Sequence, residues 1–408
     1  MSQRSAIYLD SNAAAPLRPE VSRALAAYSS LSLGNPSSIH ASGRRAKRII
    51  SDARYAIARS LGKQVDPEAI TFCSSGSEAN QWVIRSALAS RPGTRPHWIT
   101  SAVEHDCTLQ LARTSEEPEI KAAGERNWDC TILSVDQEGR LNPDALREVL
   151  RAETRLVSFV WVNNETGVIQ DPKPLIEVVR SFAPEALVHV DAAQVWGKIQ
   201  CDLSSLGADY VTFSSHKIGA PPGVGLIWTA MGARLCGTLI PGKQEKGRRG
   251  GTENVLGIHL TGVAAAAIDV SEFDQHTRRL RDLLEKEILK RISGVSVNGA
   301  FAPRASNTSN LSFSGIGGDG LVMALDLQGF CVSAGSACSS GVLEPSHVLL
   351  ALGLNKDLAL SSLRISVSSQ NTEEEVLAFI QALEKTVLRL RSIQFQEQSK
   401  GPERLPLL

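Results

Sequence analysis

The chain has 408 residues, 42% of them hydrophobic and 21% charged, with Lys plus Arg and Asp plus Glu both totalling 43. That is an ordinary soluble globular composition with room for two domains, and no bulk charge points to nucleic acid or an acidic membrane. Seven cysteines, with neither CxxC nor HExxH, argue against a disulfide framework or a zinc site; no apolar run spans a bilayer and the N-terminus lacks a secretory core, so the expected location is the reducing cytoplasm.

From about residue 70 to 230, short β-rich runs alternate with helical stretches. "AITFCS" (69–74) precedes the helix-like "SEANQWVIRSALAS", and "HWIT" (97–100) precedes a helix through Leu111. "CTILSV" (130–135) leads to "NPDALREVLR", where Pro143 suits a first helical turn. "RLVSFVWV" (155–162) is almost wholly apolar, as a strand covered on both faces should be. "LVHVD" (187–191), "DYVTFS" (209–214) and "VGLIWT" (224–229) follow. This alternation predicts a largely parallel sheet wrapped by helices.

After Gly251 the pattern changes. An Ala-rich helix is expected over about 252–270 and a charged one over 277–292. "SNLSFS" (309–314), the helix "GLVMALDLQ", "LRISVS" (363–368) and a helix over 373–391 complete a smaller α+β unit. The expected division is a large domain at 16–262, a small domain made of 1–15 and 263–392, and a polar, mobile tail at 393–408. The basic cluster Lys243–Arg249 reads either as a solvated loop or as a small-anion site.

Several strand ends carry chemistry. Lys217 in "DYVTFSSHKIGAPPGVG" follows a strand, where open α/β sheets bind ligands. A partly desolvated lysine there has a lowered pKa and can form a Schiff base with an aldehyde such as pyridoxal phosphate. Such a cofactor needs an acid beside its ring nitrogen. Asp191 in "HVDAAQ" stands at a strand end as that acid or as an ordinary turn residue, and Gln194 and Asn164 could donate to the ring's phenolic oxygen. "CSSGSEAN" puts Gly76 and Ser77 at a helix start suited to a phosphate, to which Ser214 and His216 could add donors. His105 reads as a ring stacked on a flat cofactor or as a capping histidine.

Finally, "VSAGSACSSGVLEP" (332–345) places Cys338 among small residues, unlike a buried structural cysteine. The helix "PSHVLLALGL" that follows is expected to start near Pro345 and end near Gly353. Cys331 reads as packing, and Cys73, Cys107, Cys130, Cys201 and Cys236 show no convergent polar context in the sequence.

In order along the chain, "YLDSNAAAP", "GNPSSIH" (34–40), "EH" (104–105), "VNNETG", "HVDAAQ", "SHK", "GRRGGTEN" (247–254) and "GSACSSG…LEPSHVL" (335–349) resemble cysteine desulfurases of the NifS/IscS type, within the class V aminotransferase family. The resemblance covers nearly the whole chain. It implies the α/β fold type I of pyridoxal phosphate enzymes, with a large, mostly parallel seven-stranded sheet and a smaller α+β domain. It implies that L-cysteine is converted to alanine, with the sulfur taken by Cys338 as a persulfide for an acceptor protein in iron–sulfur assembly or thiolation. Lys217 would hold the cofactor, His105 stack on it and move protons, Asp191 pair with the ring nitrogen, and Asn164 and Gln194 lie by the phenolic oxygen. Gly76, Ser77, Ser214 and His216 would bind phosphate. Thr252 would reach the site of a second subunit in a homodimer, Arg364 grip the substrate carboxylate, and Asn35 lie near the substrate.

The sequence departs from the usual pattern at Ala13–Ala15, at Lys243 and after Arg364, which bears on acceptor choice or rate. Alternatives are a selenocysteine lyase, another aminotransferase or lyase of the family, or a non-catalytic binding partner in a sulfur pathway. A colourless protein without cofactor would favour the last.

Overall fold

The computed structural model describes residues 6–89, 95–113, 128–236, 242–316, 318–334 and 344–399. In chain order the first elements are β1 (Ile7–Tyr8), α1 (Pro19–Tyr28), α2 (Ala41–Leu61), β2 (Ile70–Cys73), α3 (Gly76–Leu88), β3 (His97–Ser101), α4 (Asp106–Arg113), β4 (Asp129–Leu133) and α5 (Pro143–Val149). Then come β5 (Thr154–Val160), α6 (Pro172–Phe182), β6 (Leu187–Asp191), β7 (Tyr210–Ser214) and β8 (Gly225–Thr229). Seven of these strands form one sheet in the order β2-β8-β7-β6-β5-β3-β4, parallel except for β8, which runs against both its neighbours. The predicted large, mostly parallel sheet is therefore present. Every residue of β5 but Arg155 is buried, because helices cover both faces.

The second half comprises α7 (Val255–Ala266), α8 (Val270–Arg291), β9 (Val295–Val297), β10 (Thr308–Phe313), α9 (Gly318–Asp326), β11 (Phe330–Cys331), β12 (Ser333–Ala334), α10 (His347–Ala351), α11 (Lys356–Leu360), β13 (Ser362–Ser366) and α12 (Glu373–Ser399). Strands β12, β13, β10 and β9 make an antiparallel sheet in that order. The N-terminal segment joins this half: β1 pairs with β11, and Asp10 bridges to Ser366. Leu9 accordingly packs in a second apolar core with Leu280, Leu311, Phe313, Leu363 and Phe379. The first core lies around the large sheet, where Val157, Val190, Val211 and Phe213 meet Ile57 of α2 and Ile258 of α7.

Capping chemistry moved several boundaries. The helix expected at 252–270 starts at Val255, because the Asn254 side chain accepts from Gly257 N at 3.0 Å. Its successor starts at Val270 rather than 277, capped by Asp269, which accepts from Glu272 N at 2.9 Å. Ser346, not Pro345, initiates α10 by accepting from Leu349 N, and Gly353 lies beyond the helix in the left-handed region at φ 91°. Helix α12 runs on to Ser399, so the tail expected to begin at 393 starts as helix. Around the basic cluster, Lys246 pairs with Glu68 at 2.7 Å and Arg249 with Glu78 at 2.8 Å. Those two cations are neutralised, which fits a loop rather than an anion site. No single helix among the described residues is long and apolar enough to cross a membrane.

Candidate active site

A cleft of about 260 Å³ opens where β3, β5, β6 and β7 deliver their C-terminal ends. It gathers Gly76, Ser77, His105, Asn164, Asp191, Gln194, Ser214, His216, Lys217 and Arg364 from distant parts of the chain. Asp191 is the last residue of β6, and Lys217 ends the short 3₁₀ turn that follows β7. Ser75 caps α3 by accepting from Glu78 N at 3.1 Å, which turns the helix start into the cleft beside Ser214. A Cβ on Gly76 would lie 3.2 Å from that of Ser214, so the backbone comes closest where only glycine fits comfortably.

The Lys217 amine donates to the backbone carbonyls of Asn12 at 2.6 Å and Ala13 at 2.9 Å. Burial, reinforced by the nearby Arg364 guanidinium, lowers it to about 8. Burial also drives His216 down to about 4; its Nδ1 lies 3.0 Å from Ser214 Oγ. Asp191 is 5% exposed and held at both oxygens, by Asn80 Nδ2 at 2.6 Å and by Ala193 N at 2.9 Å. Arg364, on β13, reaches in from the smaller half. Its guanidinium donates to Asp10 Oδ1 at 2.7 Å and to the Asn164 carbonyl at 3.3 Å, while its buried Nε has no partner. The residue as a whole lines the cleft, so its guanidinium is a cationic donor group at the cleft wall.

Asn12, Asn80 and Cys107 line the cleft too, and the sequence alone did not single them out. Asn80 sits one turn after Gly76 on α3, and its polar side chain is buried in a helix whose neighbours at that depth are apolar. That mismatch was the available signal. Cys107 corrects the sequence expectation directly, because polar groups do converge on it. Its Sγ lies 3.1 Å from His105 Nδ1 and 3.7 Å from Asn80 Nδ2. Hydrogen bonding to this sulfur, against the opposing effect of burial, raises His105 to about 9. Cys107→Ala should therefore lower the His105 midpoint, by about one unit or more in an NMR titration of the imidazole. An unmoved midpoint would contradict this assignment of the cause.

Three expected residues are not in the cleft. Asn35 is exposed in the turn before α2, where its side chain accepts from Ser37 N at 2.9 Å. Thr252 is exposed in a separate depression of about 150 Å³ with Glu245, Arg249 and Glu253. Cys338 lies outside the described residues. The described residues beside its segment are tied to the site: Ser333 Oγ donates to Asp10 Oδ2 at 2.8 Å, and Ser346 Oγ donates to Glu165 Oε2 at 2.5 Å.

A mostly parallel α/β sheet thus brings a lysine, a fixed carboxylate and a helix start together at the C-terminal ends of its strands. The chain belongs to the Aminotransferase class-V family, whose pattern matches residues 7–379. It is 38% identical to "Cysteine desulfurase 2" of Trichormus variabilis over 391 residues, covering 95% of each chain. Among solved structures it is similar to a "NifS-like protein" (TM-score 0.85, 30% identity, 94% of this chain and 100% of that one). It is also similar to "SspA in complex with cysteine" (TM-score 0.75, 28% identity, 90% and 99%).

Proposed function

We propose that the protein is a pyridoxal phosphate-dependent cysteine desulfurase, releasing alanine from L-cysteine and passing the sulfur to an acceptor protein. The observation that carries this reading is Lys217: an amine lowered to about 8, at a strand end, facing a fixed carboxylate across a cleft. The donor set fits the cofactor. The start of α3 with Gly76, Ser77 and Ser214 suits its phosphate, His216 lies beside them, and Asp191 suits its ring nitrogen. When bound, the cofactor supplies an electron sink for charge developing at the substrate α-carbon.

The remaining work falls to the chain itself. Lys217 would hold the cofactor, and its amine, lowered to about 8, would take the α-proton at Nζ. His105, raised to about 9, is protonated at neutral pH and gives a proton on the cleft side. Asn164 and Gln194, which line the cleft, would supply polar groups to the cofactor's phenolic oxygen. Arg364 orients the substrate carboxylate. The Cys338 thiolate would attack the substrate sulfur, forming the S–S bond of a persulfide as the Cβ–S bond breaks; the electron pair of that bond would stay on the carbon skeleton, which is protonated and leaves as alanine. Thr252 is exposed outside this cleft, which suits a homodimer in which it serves the neighbouring subunit's site; Asn35, expected near the substrate, is exposed outside the cleft as well. The division into a large domain at 16–262 and a small one at 1–15 with 263–392 puts Lys217 and Arg364 on different units.

Alanine formed from L-cysteine with no keto acid present tests the reading, because an aminotransferase needs that second substrate. Arg364→Ala removes charge-assisted bonds worth about 1.5–3 kcal/mol each. We expect kcat/KM for L-cysteine to fall roughly 10²-fold, chiefly through KM. An unchanged KM would take Arg364 out of substrate binding.

A further inference from the structure

Lys198 is a buried amine to which the scheme above gives no task. It lies in the turn after β6, is 5% exposed, and forms no ion pair with a carboxylate among the described residues; its acceptors are two amides. Nζ donates to Asn12 Oδ1 at 2.9 Å and to Gln194 Oε1. Burial, with the nearby Lys217 and Arg364 charges acting the same way, pushes this amine well below its ordinary range. Arg18 is the other cationic side chain near it, and His216, which burial drives down to about 4, lies nearby.

Both acceptors belong to residues whose remaining groups lead to Lys217. Gln194 Nε2 donates to the Asn12 backbone carbonyl at 3.0 Å, and the same carbonyl accepts from Lys217 Nζ at 2.6 Å. With its N–H groups directed at both side-chain amide oxygens, Nζ holds the oxygen end of each amide toward itself. The Asn12 NH₂ is thereby turned to Thr308 Oγ1 at 2.8 Å and to the Asn164 carbonyl at 3.1 Å. The Gln194 NH₂ is turned to Asn12 O, leaving its second N–H for the cleft that Gln194 lines.

We infer that Lys198 is a positioning residue: its buried amine sets the orientation of the Gln194 amide and of the Asn12–Ala13 strap, and through that strap the placement of the Lys217 amine. The inference rests on the pyridoxal phosphate reading of the cleft. Removing the amine has an asymmetric effect. Asn12 Oδ1 keeps a donor in Asn307 Nδ2 at 3.0 Å, so Gln194 is the amide set free to turn over. Its cleft-side donor can then become an acceptor.

The experiment compares wild type, Lys198→Met and Lys198→Gln as holoenzymes. Methionine fills similar volume without a donor, and glutamine keeps a donor on a shorter arm. The readouts are the pH midpoint of the visible absorption band of the lysine-bound cofactor, steady-state rates on L-cysteine, and the thermal unfolding midpoint. The expected result is a band midpoint moved by about half a unit or more in Lys198→Met, with kcat/KM down roughly 10-fold. Lys198→Gln should fall between that variant and wild type. Band midpoints identical to wild type in both variants overturn the inference, whatever happens to thermal stability. Failure of both variants to give folded holoenzyme also overturns it, since the lysine would then serve folding. A wild type that binds no cofactor sinks the reading of the cleft itself, and with it the inference.

Discussion

Lys217→Ala is expected to leave a folded protein that binds pyridoxal phosphate only non-covalently, with desulfuration reduced by about 10³-fold or more. Two tasks would disappear together, because in the proposed reading the same amine tethers the cofactor and takes the α-proton. The lowered pKa makes both feasible near neutrality. At pH 7.5 an amine at about 8 is roughly one-quarter neutral, against about 0.1% for an ordinary lysine at 10.5. The structural cost is small, since Lys217 lies at the cleft wall and Asn12 O keeps its bond from Gln194. Lys217→Arg should lose as much activity as Lys217→Ala, because a guanidinium keeps charge and donors but stays protonated. Cofactor that remains reducible onto the chain by borohydride in Lys217→Ala would place the attachment elsewhere. So would activity within 10-fold of wild type.

The sheet and the lysine edge were legible in the sequence for a physical reason. Strands covered on both faces must be apolar throughout, so a polar residue ending such a run, like Asp191 or Ser214, stands out as a site at the sheet's edge. Asn12 was not legible, because its carbonyl and side chain act through contacts about two to three hundred positions away, with Gln194, Lys198, Lys217 and Thr308. Cys107 was hidden for a local reason. Its packing neighbours in sequence look ordinary, and only the first turn of α4 brings its sulfur against His105. Helix starts were misplaced at Asn254 and Asp269 because a capping side chain outweighs the composition of the residues before it. Asn35 and Thr252 carry family motifs, yet in a single subunit they stay outside the cleft.

Cys338→Ser is the second large effect. A hydroxyl differs from a thiol by one atom in the side chain, so cofactor and L-cysteine should bind as before. Oxygen has no soft, readily formed anion to accept sulfur, so sulfur transfer should fall at least 10²–10³-fold. Cys107 makes the comparison sharper, being the described cysteine that lines the cleft. If it were the acceptor instead, Cys107→Ser would abolish turnover and Cys338→Ser would not. The two variants also separate a catalytic protein from a sulfur-pathway partner, which would show no turnover to lose.

The most direct test is to measure alanine and sulfide together from L-cysteine, with dithiothreitol and no keto acid, for wild type and Cys338→Ser holoenzymes. The expected result is equal amounts of the two products from wild type and neither from the variant, with its cofactor band retained. Undiminished alanine and sulfide from Cys338→Ser would contradict the account.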